Sequence, residues 1–119
     1  MICLDRGQIG KKPGVDITVK SATGIARMFA PTWPMVRGHQ THSLDNSHYT
    51  LLYEGILDSL PPEVWKQLED MHAGGTLTLL CYCADLNHDG GRKFCHTHVL
   101  IEYMLRRWPK FFVDVREIA

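Results

Sequence analysis

Thiols and imidazoles are concentrated in one segment, CYCADLNHDGGRKFCHTH, residues 81–98. It holds three of the four cysteines and three of the seven histidines of the chain. A thiolate acts as a nucleophile or a metal ligand, and an imidazole acts as a base or a ligand. The segment therefore predicts either covalent chemistry or metal binding.

In the first interpretation the site is catalytic, with Cys95 as the preferred nucleophile, His96 as its base or orienting partner, and Cys81 beside them. Cys95 stands where a helix begins, and the unpaired N–H groups of a helix start lower the pKa of a thiol. His96 falls on the apolar arc of the predicted helix and faces the sheet. No cofactor is expected in this interpretation.

The second interpretation is a zinc site with three cysteines and one histidine. Cysteines at i and i+2 of a strand share a face, so two sulfurs from the strand can reach one ion. The spacing, C-x-C and then C-H eleven residues later, departs from the common C-x₂₋₄-C patterns. The ligands in this interpretation are Cys81, Cys83 and Cys95 together with His96 or, alternatively, His98.

Two further interpretations stay open. Free cysteine is among the most buried residue types, so the strand cysteines and His96 can be ordinary core residues. The series Asp85, Asn87, Asp89 and Gly90 matches the start of a calcium loop, but neutral His96 stands at the position of the bidentate glutamate. A tight turn rich in Asn, Asp and Gly explains the same letters.

A second group of residues is expected to hold a ligand at the same place. Lys20 and Ser21 end the first predicted strand, where a parallel sheet presents an anion site. Trp33 can stack on a planar ligand, and Arg37 can pair with a carboxylate or phosphate. Cys83 completes the predicted ligand-binding set.

The elements that position these residues follow from periodicity and from turn residues. Alternation predicts a strand in DITVKS, residues 16–21, and a 3.6-residue stripe predicts a helix from Ser47 to Leu60. Prolines and glycines break residues 22–46, with room for a helical turn at 24–29. The remaining predictions are a helix after Pro61 and Pro62, a strand at 76–83, a helix at 96–108 and a strand at 111–117.

Strands that alternate with helices favour crossover connections and a parallel sheet. The sequence therefore predicts a single α/β domain over residues 1–119, a small three-layer domain with a mostly parallel sheet flanked by helices. Ligands of such sheets bind outside the carboxyl ends of the strands. Residues 81–98 occupy that place.

Composition excludes several classes of protein. The 119 residues carry 13 basic and 13 acidic groups, so no charge pattern indicates nucleic acid. The longest apolar run is much shorter than the roughly 20 residues of a membrane span, and the amino terminus has no apolar core of a signal peptide. We expect a cytoplasmic protein with reduced thiols, a small-molecule ligand and no membrane or nucleic-acid partner; the sequence identifies no protein partner.

The chain resembles the bacterial and phage family named domain of unknown function 488. The resemblance is carried by DITVKS, FAPTW, Tyr49 and Tyr53, LLCYC, and the pair Cys95 and His96, which together span about residues 2–116. It implies a small cytoplasmic α/β domain whose signature is the strand ending in CYC and the CH pair. The family pattern continues with arginine after CH, whereas Thr97 stands here and removes an anion-pairing group.

Together these features favour an enzyme that acts on a small anionic or nucleotide-derived ligand at a Cys/His site on the carboxyl edge of the sheet. The alternative is a non-enzymatic module, stabilised by zinc or binding a ligand, that is encoded by a phage. Metal content and thiol reactivity distinguish the two.

Overall fold

The structure, a computed structural model, describes residues 1–83 and 94–117. Strands, α-helices and two short 3-10 helices alternate along these residues. They are β1 (Ile2–Gln8), β2 (Val15–Asp16), a 3-10 helix (Gly24–Phe29), α1 (Trp33–Gln40), α2 (Asn46–Asp58), α3 (Pro62–Glu69), β3 (Thr76–Cys81), α4 (His96–Arg107), β4 (Phe112–Asp114) and a second 3-10 helix (Val115–Glu117).

The four described strands form one parallel sheet in the order β2-β3-β1-β4. β1 lies inside the sheet and pairs with β3 from Cys3↔Thr76 to Gln8↔Cys81. The predicted α/β class and the parallel sheet with packed helices are confirmed. Because β1 and β3 end side by side, Gln8 and Cys81 mark the same carboxyl edge.

The core lies between one face of the sheet and the helices. Leu4 in β1 and Leu77 and Leu79 in β3 are fully buried on that face. Tyr53 of α2 and Leu100 of α4 belong to the same apolar cluster. Removal of this apolar surface from water drives the packing and fixes where α4 begins relative to β3.

The first predicted strand is wrong in extent. Only Asp16 of DITVKS lies in β2, which is Val15–Asp16. Asp16 Oδ1 accepts hydrogen bonds from the Thr18 N–H at 2.9 Å and the Thr18 hydroxyl at 2.7 Å, which turns the chain away from the sheet. Lys20 and Ser21 therefore lie in a turn rather than at a strand end.

β1 itself was not predicted. ICLDRGQ interrupts its apolar residues with Asp5 and Arg6, so the alternation typical of a half-buried strand is hidden. Both charged side chains have partners: Asp5 pairs with Lys12 at 2.9 Å, and Arg6 bonds to residues at the end of β3.

A second helix was also missed, because Pro31 and Pro34 suggested an irregular connection. α1 begins at Trp33, and Pro34 lies in its first turn, where a missing N–H costs nothing. Thr32 caps this helix, since its hydroxyl accepts from the Met35 N–H at 3.3 Å. The 3-10 helix Gly24–Phe29 fits the helical turn expected there.

The other elements agree with the predictions except at their ends. Asp45 caps α2 by accepting from the His48 N–H at 2.8 Å, while Leu52 of the predicted apolar stripe is half exposed. β3 ends at Cys81 instead of residue 83, and the last strand is only Phe112–Asp114. No helix within residues 1–83 and 94–117 is both long and apolar enough to cross a membrane.

Candidate functional site

The carboxyl end of β3 and the start of α4 bring three cysteines together. Cys81 is the last residue of β3, and Cys95 is the residue before α4, in extended conformation. Their Sγ atoms are 3.3 Å apart, and both side chains are buried. The sulfur atoms of Cys81, Cys83 and Cys95 all lie within 4.8 Å of one another. The predicted convergence of these thiols is therefore present.

A buried arginine that the sequence analysis missed supplies a positive charge to this cluster. Arg6 of β1 is only 3% exposed, and its Nη2 donates to Cys81 Sγ at 2.7 Å and to the Cys83 carbonyl oxygen at 3.2 Å. A buried cation is costly unless a negative group faces it. The Arg6 guanidinium therefore acts to lower the pKa of Cys81, its hydrogen-bond partner. The signal available in the sequence was a charged residue inside an otherwise apolar strand.

Thr97 also takes part in the cluster. Its side chain is fully buried in the first turn of α4, and its Oγ1 is 2.7 Å from Cys95 Sγ and 3.9 Å from Cys81 Sγ. A hydroxyl can donate to a thiolate. The residue that departs from the family pattern is therefore a direct neighbour of the proposed nucleophile.

Hydrogen bonds among the sulfurs favour the negative charge on Cys95. Hydrogen bonds from the thiols of Cys81 and Cys83 lower the pKa of Cys95 well below that of an ordinary thiol and outweigh its burial. The pKa of Cys81 is raised, because its hydrogen bonds to Cys83 and Cys95 and its burial hold the proton, although Arg6 opposes this. Cys95 is therefore favoured as the thiolate, while Cys81 accepts the hydrogen bond from Arg6.

His96 faces the core, as predicted from the helical phase. Its Nε2 lies 3.0 Å from the Ile17 carbonyl oxygen, and its ring packs at a right angle against Tyr53. Burial lowers the pKa of His96, so the ring is neutral at pH 7, with the proton on Nε2 because a carbonyl can only accept. No hydrogen bond joins His96 to Cys95 among the described residues, so the pairing of nucleophile and base stays a prediction.

A cavity of about 440 Å³ opens beside the sulfurs. All three cysteines line it, and so does His96. The apolar part of the lining includes Val36 of α1, a helix that was not predicted from the sequence. The cluster is therefore reachable by a small molecule even though two of its cysteines are buried.

Lys20 and Tyr82 both line the cavity. Lys20 Nζ lies 5.2 Å from the centre of the Tyr82 ring. The Tyr82 hydroxyl is 2.7 Å from Ser21 Oγ, and Ser21 in turn donates to Asp16. Burial acts to raise the pKa of Asp16, but hydrogen bonds from Ser21 and Thr18 outweigh it and hold this pKa below its usual range. An ionised Asp16 makes Tyr82 the donor to Ser21 and fixes the position of its ring.

Trp33, which is 44% exposed, also lines the cavity, together with Phe94. Arg37 lies over the Trp33 ring, with the guanidinium carbon 5.9 Å from the ring centre, but it is not part of the cavity lining. Lys20 and Trp33 are thus brought to the cluster. Ser21 and Arg37 do not line the cavity themselves. Ser21 contacts Tyr82, and Arg37 lies over Trp33.

The three cysteines can hold a metal ion, since three sulfur ligands are within reach of one centre. His96 is not part of this group, so the set expected for zinc is present only in its cysteine members among the described residues. The calcium interpretation rests on Asp85, Asn87, Asp89 and Gly90, which lie outside the described residues.

Comparison of the chain with protein-family models, with curated proteins and with solved structures found no match. The resemblance to the family named domain of unknown function 488 therefore stays a prediction. Functional arguments rest on the site itself.

Proposed function

We propose that the protein is a thiol-dependent enzyme that binds a small, planar, negatively charged ligand, such as a nucleotide-derived molecule, and attacks it with Cys95. The observation that carries this proposal is the Cys81–Cys95 pair at the wall of a cavity of about 440 Å³. Such an enzyme belongs in the cytoplasm, where thiols stay reduced.

The charges around the cavity favour an anionic ligand. Lys20 lines the wall, and Arg6 stands behind the sulfurs. Of the nearby acidic groups, Asp16 is engaged by Ser21 and Thr18. A negative group on the ligand therefore meets the Lys20 ammonium in the lining of the cavity, and charge complementarity guides its approach.

The aromatic side chains favour a planar ligand. Trp33 and Tyr82 are 44% and 46% exposed, and both line the cavity. Large aromatic faces that stay open to a cavity offer stacking surface to a flat ring. A planar ligand in the cavity therefore has aromatic surface to stack on and shares that cavity with the three sulfurs.

The chemical step assigned to Cys95 is nucleophilic attack. The Cys95 thiolate forms a bond to an electrophilic atom of the ligand, and the electron pair of the broken bond leaves with the displaced group. Cys81 carries the proton next to it and can supply that proton to the leaving group. His96 positions the start of α4 through its bond to Ile17.

Paired alkylating reagents test this proposal, because iodoacetamide is neutral and iodoacetate is anionic at nearly the same size. We expect Cys95 to react ahead of Cys3, whose pKa is raised by burial and by Asp5. We also expect iodoacetate to be favoured over iodoacetamide relative to the ratio measured with glutathione. Peptide mapping by mass spectrometry reports both results, and adenosine monophosphate, as a planar anion, should slow the labelling of Cys95.

The contribution of charge is isolated by Lys20→Gln. An attraction of about 1 kcal/mol corresponds to a loss of about fivefold in the iodoacetate preference. Lys110→Gln, which removes an exposed lysine near the end of α4 and away from the cavity lining, is the matched control and should leave the preference unchanged. Labelling of Cys95 no faster than of Cys3 would refute the proposal.

A second candidate function is a zinc-stabilised interaction module without enzymatic activity. It is favoured by the mutual approach of three sulfurs within 4.8 Å, because thiolates are the preferred ligands of structural zinc. In that case Cys81, Cys83 and Cys95 are first-choice ligands, and Arg6 balances the charge of the thiolates. The native mass of the purified protein measures bound zinc directly.

A further inference from the structure

Cys81 and Cys95 are placed to react with each other. Their sulfurs are 3.3 Å apart, whereas a disulfide bond is about 2.05 Å long, so an approach of little more than about 1 Å closes the bond. One sulfur belongs to the last residue of a strand and the other to the residue before a helix.

Of the other two cysteines, Cys3 is badly placed to form this bond and Cys83 is the competing partner. Cys3 lies near the start of β1, opposite Thr76, whereas Cys81 is at the far end of β3. Cys83 Sγ lies within 4.8 Å of both sulfurs, so the experiment must distinguish a linkage to it.

We propose that Cys81 and Cys95 are a reversible oxidation site that small hydroperoxides convert into a disulfide. This inference rests on the proposed function, because it needs Cys95 free of metal and facing the cavity. It adds a regulation of that same site: the disulfide removes the nucleophile, and a dithiol reductant restores it.

The oxidation balances in two steps. In the first, Cys95 sulfur attacks one oxygen of the hydroperoxide, an S–O bond forms, the O–O bond breaks, and an alcohol or water leaves with one proton. In the second, Cys81 sulfur attacks the sulfenic acid at Cys95, the S–S bond forms, and the oxygen leaves as water with the second proton. The two thiols lose two electrons in all, and the hydroperoxide gains them.

Polar groups next to the sulfurs suit the first step. Thr97 Oγ1 is 2.7 Å from Cys95 Sγ, and the Arg6 guanidinium is 2.7 Å from Cys81 Sγ. Both can donate to an oxygen that gains negative charge as the O–O bond breaks. The cavity admits a small hydroperoxide to the sulfurs that line it.

The experiment treats the reduced full-length protein with one equivalent of hydrogen peroxide, blocks the remaining thiols and maps the peptides by mass spectrometry. We expect a Cys81–Cys95 linkage that dithiothreitol reverses, formed much faster than in the urea-unfolded chain. In Cys81→Ser, Cys95 should be trapped as a sulfenic acid by dimedone. Cys3→Ser is the matched control for loss of a buried thiol, and Cys83→Ser should still form the linkage.

Other outcomes overturn the inference. A linkage to Cys83, oxygenation of Cys95 without a disulfide in the unaltered protein, or a rate equal to that of the unfolded chain would each refute it. If Cys95 is alkylated rapidly and yet forms no disulfide, the oxidation site fails while the proposed function stands. If Cys95 is inert toward both reagents, both fail.

Discussion

Thr97 places a hydroxyl 2.7 Å from Cys95 Sγ in a fully buried position. The hydrogen bonds from Cys81 and Cys83 contribute most to the low pKa of Cys95, and the Thr97 hydroxyl adds to them. A family pattern with arginine at this position implied a loss of anion binding here. In the structure the Thr97 hydroxyl instead contacts Cys95, the proposed nucleophile.

Replacing Thr97 by valine removes this hydroxyl while keeping the shape of the side chain. The pKa of Cys95 should rise, so the midpoint of the alkylation rate against pH should move to higher pH. Hydrogen bonds to charged groups contribute about 1.5–3 kcal/mol, so we expect the midpoint to move up by about 1–2 pH units. Thr97→Ser keeps a donor and should keep the midpoint. Equal midpoints for the two variants would remove Thr97 from the site.

The chemistry of single residues was predictable where residue type and place in the sheet agreed. Cys81 and Cys95 were expected at the carboxyl edge, and they lie there within 3.3 Å of each other. Arg6 was not expected, because no strand was predicted at residues 2–8. Only pairing across β1 and β3 shows that Arg6 shares a face with Leu79 and Cys81.

At the scale of elements, the sequence predicted best where one period dominates. The stripes of α2 and α4 and the apolar run of β3 come from long, regular patterns. β1 and α1 were missed because a local signal conflicts with the tertiary context: charges interrupt β1, and proline stands in the first turn of α1. β2 is two residues long, so its place depends on contacts with β3 instead of its own pattern.

Gly14 tests how β2 is held against β3. A Cβ at this position would lie 2.6 Å from the Thr78 carbonyl oxygen, a backbone atom that cannot move aside cheaply. We expect Gly14→Ala to destabilise the fold by about 1–3 kcal/mol, the range for overpacking, as measured by urea unfolding.

Gly55 is the matched control. It is exposed in α2 with open space around a Cβ, so Gly55→Ala should stabilise the protein by up to about 1 kcal/mol through helix propensity. Equal urea-unfolding midpoints for Gly14→Ala and Gly55→Ala would show that β2 does not need the close approach of Gly14 to the Thr78 backbone.

At the scale of the whole molecule, alternation of strands and helices was enough to predict a parallel sheet and therefore where its carboxyl edge must gather side chains. The sheet order β2-β3-β1-β4 was not predictable, because β1 was missing from the assignment. The apolar core that the structure does show joins buried residues of the sheet, the helices and Phe29 in one cluster. The sulfur cluster stands at one edge of the sheet, next to this core.

This arrangement predicts how stability responds to removal of metal. A zinc ion present at about 100 times its dissociation constant would stabilise the fold by about 2.7 kcal/mol, and its removal would lower the melting temperature by about 10 °C for a chain of this size. If Cys95 is a free thiolate, a chelator should change the melting temperature by no more than about 1 °C. The apolar core cluster contains none of the three cysteines, so its packing does not depend on a metal ion bound to them. Cys83→Ser sharpens the comparison, since it removes a zinc ligand but leaves the Cys81–Cys95 pair. A drop near 10 °C on chelation that Cys83→Ser abolishes would favour the zinc-stabilised module over the thiol enzyme.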